Sequence, residues 1–70
     1  MSMFNITYHL NDKLIHKESV FMLTLNAAKI SATRQSSQKK VYIRISNIMD
    51  KPLSERINGK WKNIDYTKTT

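Results

Sequence analysis

Leu53-Ser54-Glu55-Arg56-Ile57-Asn58-Gly59-Lys60-Trp61-Lys62-Asn63-Ile64 contains the strongest local signal in the chain. Asn-Gly between two strand-like runs is the preferred pair for a two-residue type I′ turn, which needs positive φ at both positions. The stretch therefore predicts a hairpin of Leu53–Ile57 and Lys60–Ile64. That register sets Arg56 opposite Trp61, Glu55 opposite Lys62 and Leu53 opposite Ile64. Working backwards, Asp50-Lys51-Pro52-Leu53 reads as a turn, with Pro fixing φ. Lys40-Val41-Tyr42-Ile43-Arg44-Ile45-Ser46 is β-branched and strictly alternating, hence a strand. Val41, Ile43 and Ile45 should face a core, and Tyr42 and Arg44 should face away.

Before that strand, Thr24 is placed to cap a helix running from Leu25 to Gln35, because its hydroxyl can accept from the free N–H groups of the first turn. The segment holds no Gly or Pro, and Leu25, Ala28 and Ala32 form a stripe of mostly small residues. At the start of the chain, Phe4, Ile6, Tyr8 and Leu10 share one strand face. Asn11-Asp12 suits a turn. A second strand follows from Leu14 to about Phe21, and its broken alternation at His16-Lys17-Glu18 predicts an edge strand or a bulge. The expected fold class is α+β: one antiparallel β-sheet of about five strands, with one α-helix packed on one face, in the order ββαβββ. Residues 1–65 form a single domain and 66–70 a frayed tail.

Composition limits the function. The chain has 70 residues, enough for one small domain of modest stability. It lacks cysteine, which excludes disulfides, thiolate metal sites and cysteine nucleophiles. The longest apolar run, Val20-Phe21-Met22-Leu23, is far too short to span a membrane. No signal peptide is expected, because the N-terminus shows no basic stretch leading into an apolar one. Gly59 is the only glycine, so no glycine-rich phosphate loop can form. His9 and His16 are the only histidines; with Asp12 or Glu18 they could at most make an incomplete metal site. With scattered carboxylates there is no catalytic set, and neither an enzyme nor a cofactor is expected.

The net charge is +7. Residues 1–38 carry four cations against two carboxylates, and residues 39–70 carry eight against three. Such an excess suits nucleic acid or an acidic protein surface, though it also serves simple solubility. Lys29, Arg34, Lys39 and Lys40 gather near the helix end, where cations also oppose the helix dipole. Lys60 and Lys62 flank the hairpin tryptophan. If Leu53, Ile57 and Ile64 point inward, Arg56 and Trp61 point outward beside Tyr42 and Arg44. That would make a surface of cations and aromatic platforms, suited to phosphate contacts and base stacking or to a protein hot spot. Alternatively, the pair could merely shield the sheet, or a one-residue slip could turn Trp61 into the core.

Thr24-Leu25-Asn26-Ala27-Ala28-Lys29-Ile30-Ser31-Ala32-Thr33-Arg34, then Ile43-Arg44-Ile45, then Gly59-Lys60-Trp61, together resemble the small phage-encoded anti-CRISPR proteins that inhibit type I-F Cascade surveillance complexes. The likeness is greatest to the family of the ninth-named type I-F inhibitor. The resemblance implies a non-enzymatic inhibitor in the host cytoplasm during infection. It would dock on the Cas7 backbone subunits beside the crRNA and obstruct target DNA hybridisation, with possible direct contact to DNA or crRNA. By position, it implies contact roles for Phe4, Lys29, Arg34, Ser36, Lys60 and Lys62. An autonomous small basic nucleic-acid-binding phage protein is the alternative expectation.

Overall fold

The computed structural model describes residues 2–64, so the expected tail at 66–70 lies outside the described residues. The chain forms β1 (Ser2–Leu10), β2 (Lys13–Met22), α1 (Leu25–Gln35), β3 (Tyr42–Ser46), β4 (Pro52–Ile57) and β5 (Lys60–Asn63). The five strands make one sheet in the order β2-β1-β3-β4-β5, and every neighbouring pair is antiparallel. The first strand is thus interior, flanked by β2 and β3, and the helical connection from β2 to β3 passes over it. The ββαβββ order and the single helix on one face are as the sequence predicts. No helix among the described residues is long and apolar enough to cross a membrane.

The core is the layer between helix and sheet. Phe4, Ile6 and Tyr8 on β1 meet Ile43 and Ile45 on β3, with Ile6 opposite Ile45 and Tyr8 opposite Ile43. Val41 and the helix residues Ala28 and Ala32 close it. Alanines on the packing stripe let the helix backbone come close to the sheet, and both are fully buried. Thr24 is extended, and its Oγ1 accepts from the Ala27 N–H at 3.1 Å, which starts the helix where the sequence places it.

Three local features depart from the expected pattern. The break in β2 falls at Ile15: Tyr8 pairs with His16 but His9 pairs with Leu14, leaving Ile15 as an extra residue on an edge strand. Lys39 and Lys40 sit in a turn rather than a strand, closed by the Val41 N–H donating to the Gln38 carbonyl at 3.2 Å. Pro52 opens β4 instead of sitting in the preceding turn. Asn47 organises that turn, its Oδ1 accepting from the N–H groups of Met49 at 2.8 Å and Lys51 at 3.0 Å.

The hairpin has the predicted register, with Arg56 opposite Trp61 and Glu55 opposite Lys62. The Ile64 N–H donates to the Leu53 carbonyl at 2.9 Å. Its facing is the reverse of the expectation at Ile57 and Arg56, although Leu53 remains half-buried against the core. Ser54 and Arg56 are buried under the helix, while Ile57 is exposed. The reason is the company Ile57 keeps. Burying Leu53 and Ile57 would also bury Glu55, Lys60 and Lys62, and unpaired buried charge is costly. The observed facing buries only one charged group, Arg56, and supplies it with partners.

Candidate functional site

Three of the residues expected at a binding surface belong to the interior. Phe4 is 6% exposed and packs in the core, as its alternation with Ile6 and Tyr8 requires. Arg56 is 7% exposed. Its guanidinium donates to the carbonyls of Ser36 at 3.1 Å and Ser37 at 3.3 Å. It terminates the helix: a planar fork of donors meets carbonyls left over just past the last turn. Trp61 is half-buried against the core, and its indole N–H donates to Thr33 Oγ1 at 3.1 Å. Lys29 lies with Nζ 5.9 Å from the indole centroid and donates to Asn63 Oδ1. Arg56 and Trp61 are therefore helix-facing struts and not an outward aromatic–cation pair. Ser36 is half-buried and is the C-cap of the helix.

The remaining basic residues do reach the surface, and the fold brings the two expected clusters together. Arg34, Lys39, Lys40, Lys60 and Lys62 are exposed. Gly59 has φ +81°, in the left-handed region, and the stem of Lys39 lies across it; a Cβ at this position would stand 2.9 Å from Lys39 Cγ. The helix-end cluster thus rests on the turn that carries Lys60. Glycine is needed here twice, for its backbone angle and for the close approach of that stem.

The sheet face opposite the helix carries no covering element among the described residues. Tyr42 and Arg44 point onto it as expected. The Tyr42 hydroxyl donates to Glu55 Oε2 at 2.7 Å and accepts from Arg44 Nε at 3.2 Å. The Arg44 guanidinium lies 5.8 Å from the Tyr42 ring centroid, and the His9 ring lies 5.6 Å away at 52°. His9 and Ile57 were not among the expected contact residues. The signal for both is strand parity, which puts His9 with Tyr42 and Ile57 with Lys60. His16 pairs with Tyr8 on the helix side, ring centroids 5.4 Å apart, so the two histidines lie on opposite faces. Among the described residues, no three His, Asp or Glu side chains gather closely enough to hold a metal ion.

A further surface lies at one corner of the sheet, where Phe21, Ile48 and Met49 are exposed and a cleft of about 710 Å³ is lined by Met3, Phe4, Phe21 and Leu53 among others. Exposed apolar area of this kind suits a protein partner.

Both buried-side and open-face tyrosines are held neutral. Burial pushes the Tyr8 phenol well above its ordinary value of 10.0, helped by its hydrogen bond to Glu18 and that carboxylate's charge. Tyr42 is raised too, by burial and then by its bond to Glu55, with Arg44 pulling the other way. The unfolded chain thus releases these protons first. The stability they contribute is fully present below about pH 10 and is lost as pH rises beyond it. Denaturant midpoints followed from about pH 8 to about pH 11 should fall steeply at the alkaline end, and Tyr8→Phe should flatten that fall. Compared with protein families, curated proteins and solved structures, the chain finds no match.

Proposed function

We propose that the protein is a non-enzymatic anti-CRISPR inhibitor, acting in the host cytoplasm during phage infection. It docks on a type I Cascade complex at its Cas7 backbone, beside the crRNA, and blocks target DNA hybridisation. The observation that carries this reading is the junction of the two basic clusters at Lys39 and Gly59. Cations gathered at such a junction suit a polyanion held within a protein assembly. The apolar corner at Phe21, Ile48 and Met49 supplies contact area for the protein part of such a partner. The resemblance in the helix, in Ile43-Arg44-Ile45 and in Gly59-Lys60-Trp61 supports the choice of Cascade.

Purified type I-F Cascade should co-elute with the protein and lose target DNA binding. The double substitution Lys39→Glu, Lys60→Glu should weaken association at least tenfold, since it replaces attraction with repulsion at that junction. Absence of association together with unchanged target DNA binding would refute the proposal. The second reading, an autonomous nucleic-acid-binding protein, is favoured by the open face around Tyr42. It predicts micromolar binding of DNA or RNA by the isolated chain, falling steeply with salt.

A further inference from the structure

We propose that the open face of the sheet is a binding site for single-stranded nucleic acid, with bases stacked on His9 and Tyr42 and the backbone held by Lys40 and Lys60. This deepens the autonomous nucleic-acid reading and rests on it. The sheet order sets β1, β3, β4 and β5 side by side. His9 on β1 lies opposite Tyr42 on β3. Pairing of Ile43 with Arg56 carries the same row on to Ile57, which lies opposite Lys60. Aromatic, aromatic, aliphatic and cationic groups thus follow one another across four strands. At the usual strand spacing the row spans roughly 14 Å, enough for two or three splayed bases.

The chemistry favours a single strand over a duplex. Ring faces can stack only on bases whose own faces are open, and a duplex hides them. Beside the row is a cleft of about 350 Å³, lined by His9, Asn11, Asp12, Lys40, Tyr42 and Arg44. Lys40 at that cleft and Lys60 at the end of the row supply the cations for phosphate, while Arg44 is opposed by Glu55 on the next strand. Arg44 is engaged with the Tyr42 hydroxyl and ring and lies opposite Glu55, which fixes the platform. Glu55 accepts the Tyr42 hydroxyl and faces Lys62 across the hairpin, so it orients the ring.

The test is fluorescence anisotropy of the full chain with labelled oligo-dT, oligo-U and a duplex, each of about eight nucleotides, at low and high salt. Both single strands should bind. Tyr42→Ala and His9→Ala should each weaken that binding roughly tenfold, the scale of one lost stacking contact. Duplex binding, which uses the cations and no ring face, should be unchanged by either. Tyr42→Phe keeps the ring, loses only the hydroxyl's bonds to Glu55 and Arg44, and should retain binding. A preference for oligo-U would add a 2′-hydroxyl contact, and equal affinity would assign the site to bases and phosphates alone; both support the site. Single strands bound equally well by the wild type and both folded alanine variants would overturn it. Binding of duplex but not of single strands would also overturn it while sparing the nucleic-acid reading. Failure to bind any of the three probes would remove both.

Discussion

Replacing Arg56 with alanine is expected to lower the unfolding free energy by about 2–3 kcal/mol, the scale of charge-assisted hydrogen bonds lost within a fold. In the native protein this guanidinium is buried and bonded to the carbonyls of Ser36 and Ser37. The substitution removes the partners of both acceptors and opens space beneath the helix end. For a domain of this size the loss corresponds to a fall in Tm of roughly 10–20 °C. Thermal and urea denaturation of the variant measure it. Arg56→Lys should recover only part of the loss, because one ammonium cannot reproduce a fork that spans two carbonyls. An Arg56→Ala Tm within about 2 °C of the wild type would contradict the assigned role.

Ile43→Ala is expected to cost about 3 kcal/mol, within the range for truncating a fully buried aliphatic residue. Ile43 has no exposed surface. It stands between Tyr8 on β1 and Arg56 on β4, under a helix whose fully buried residues are Ala28 and Ala32. Small helix residues cannot lean into the vacated volume, so little of the cavity can collapse. Small domains draw only about 3–5 kcal/mol from a single core, so this one change should leave much of the chain unfolded at 37 °C. Circular dichroism and the denaturant midpoint provide the measurement. An unfolding free energy lowered by less than about 1 kcal/mol would show that the site collapses after all.

The helix was legible because its signals are local: Thr24 caps it, and no breaker interrupts Leu25–Gln35. The hairpin register was legible for the same reason, through Asn58-Gly59. Which hairpin face lies inward was not. Leu53 and Ile57 argue for one facing and Trp61 for the other. The charges settle it, but only when Glu55, Lys60 and Lys62 are weighed with the isoleucine they accompany. The partners of Arg56 and Trp61 come from the helix and its end, at Ser36, Ser37 and Thr33, far away in sequence. No periodicity in the hairpin announces them. Phe4 is a different case. Its own alternation already placed it with Ile6 and Tyr8, and the contact role came from resemblance alone.

The open face was half legible. Tyr42 and Arg44 follow from alternation within β3, whereas His9 beside Tyr42 depends on β1 pairing with β3 across an intervening helix. Likewise, the meeting of the two basic clusters depends on Lys39 folding over Gly59, a contact between a turn and a hairpin that no single segment encodes.

That contact has an entropic consequence. A surface lysine ordinarily gives up rotamer freedom when it grips a partner, at about 0.5–1.5 kcal/mol for a flexible side chain. The Lys39 stem is already laid against Gly59 before any partner arrives. Part of that ordering is done during folding, so the ammonium is presented pre-organised at the junction of helix end and hairpin. The single glycine of the chain therefore acts on recognition as well as on the turn, although it has no side chain with which to touch a ligand.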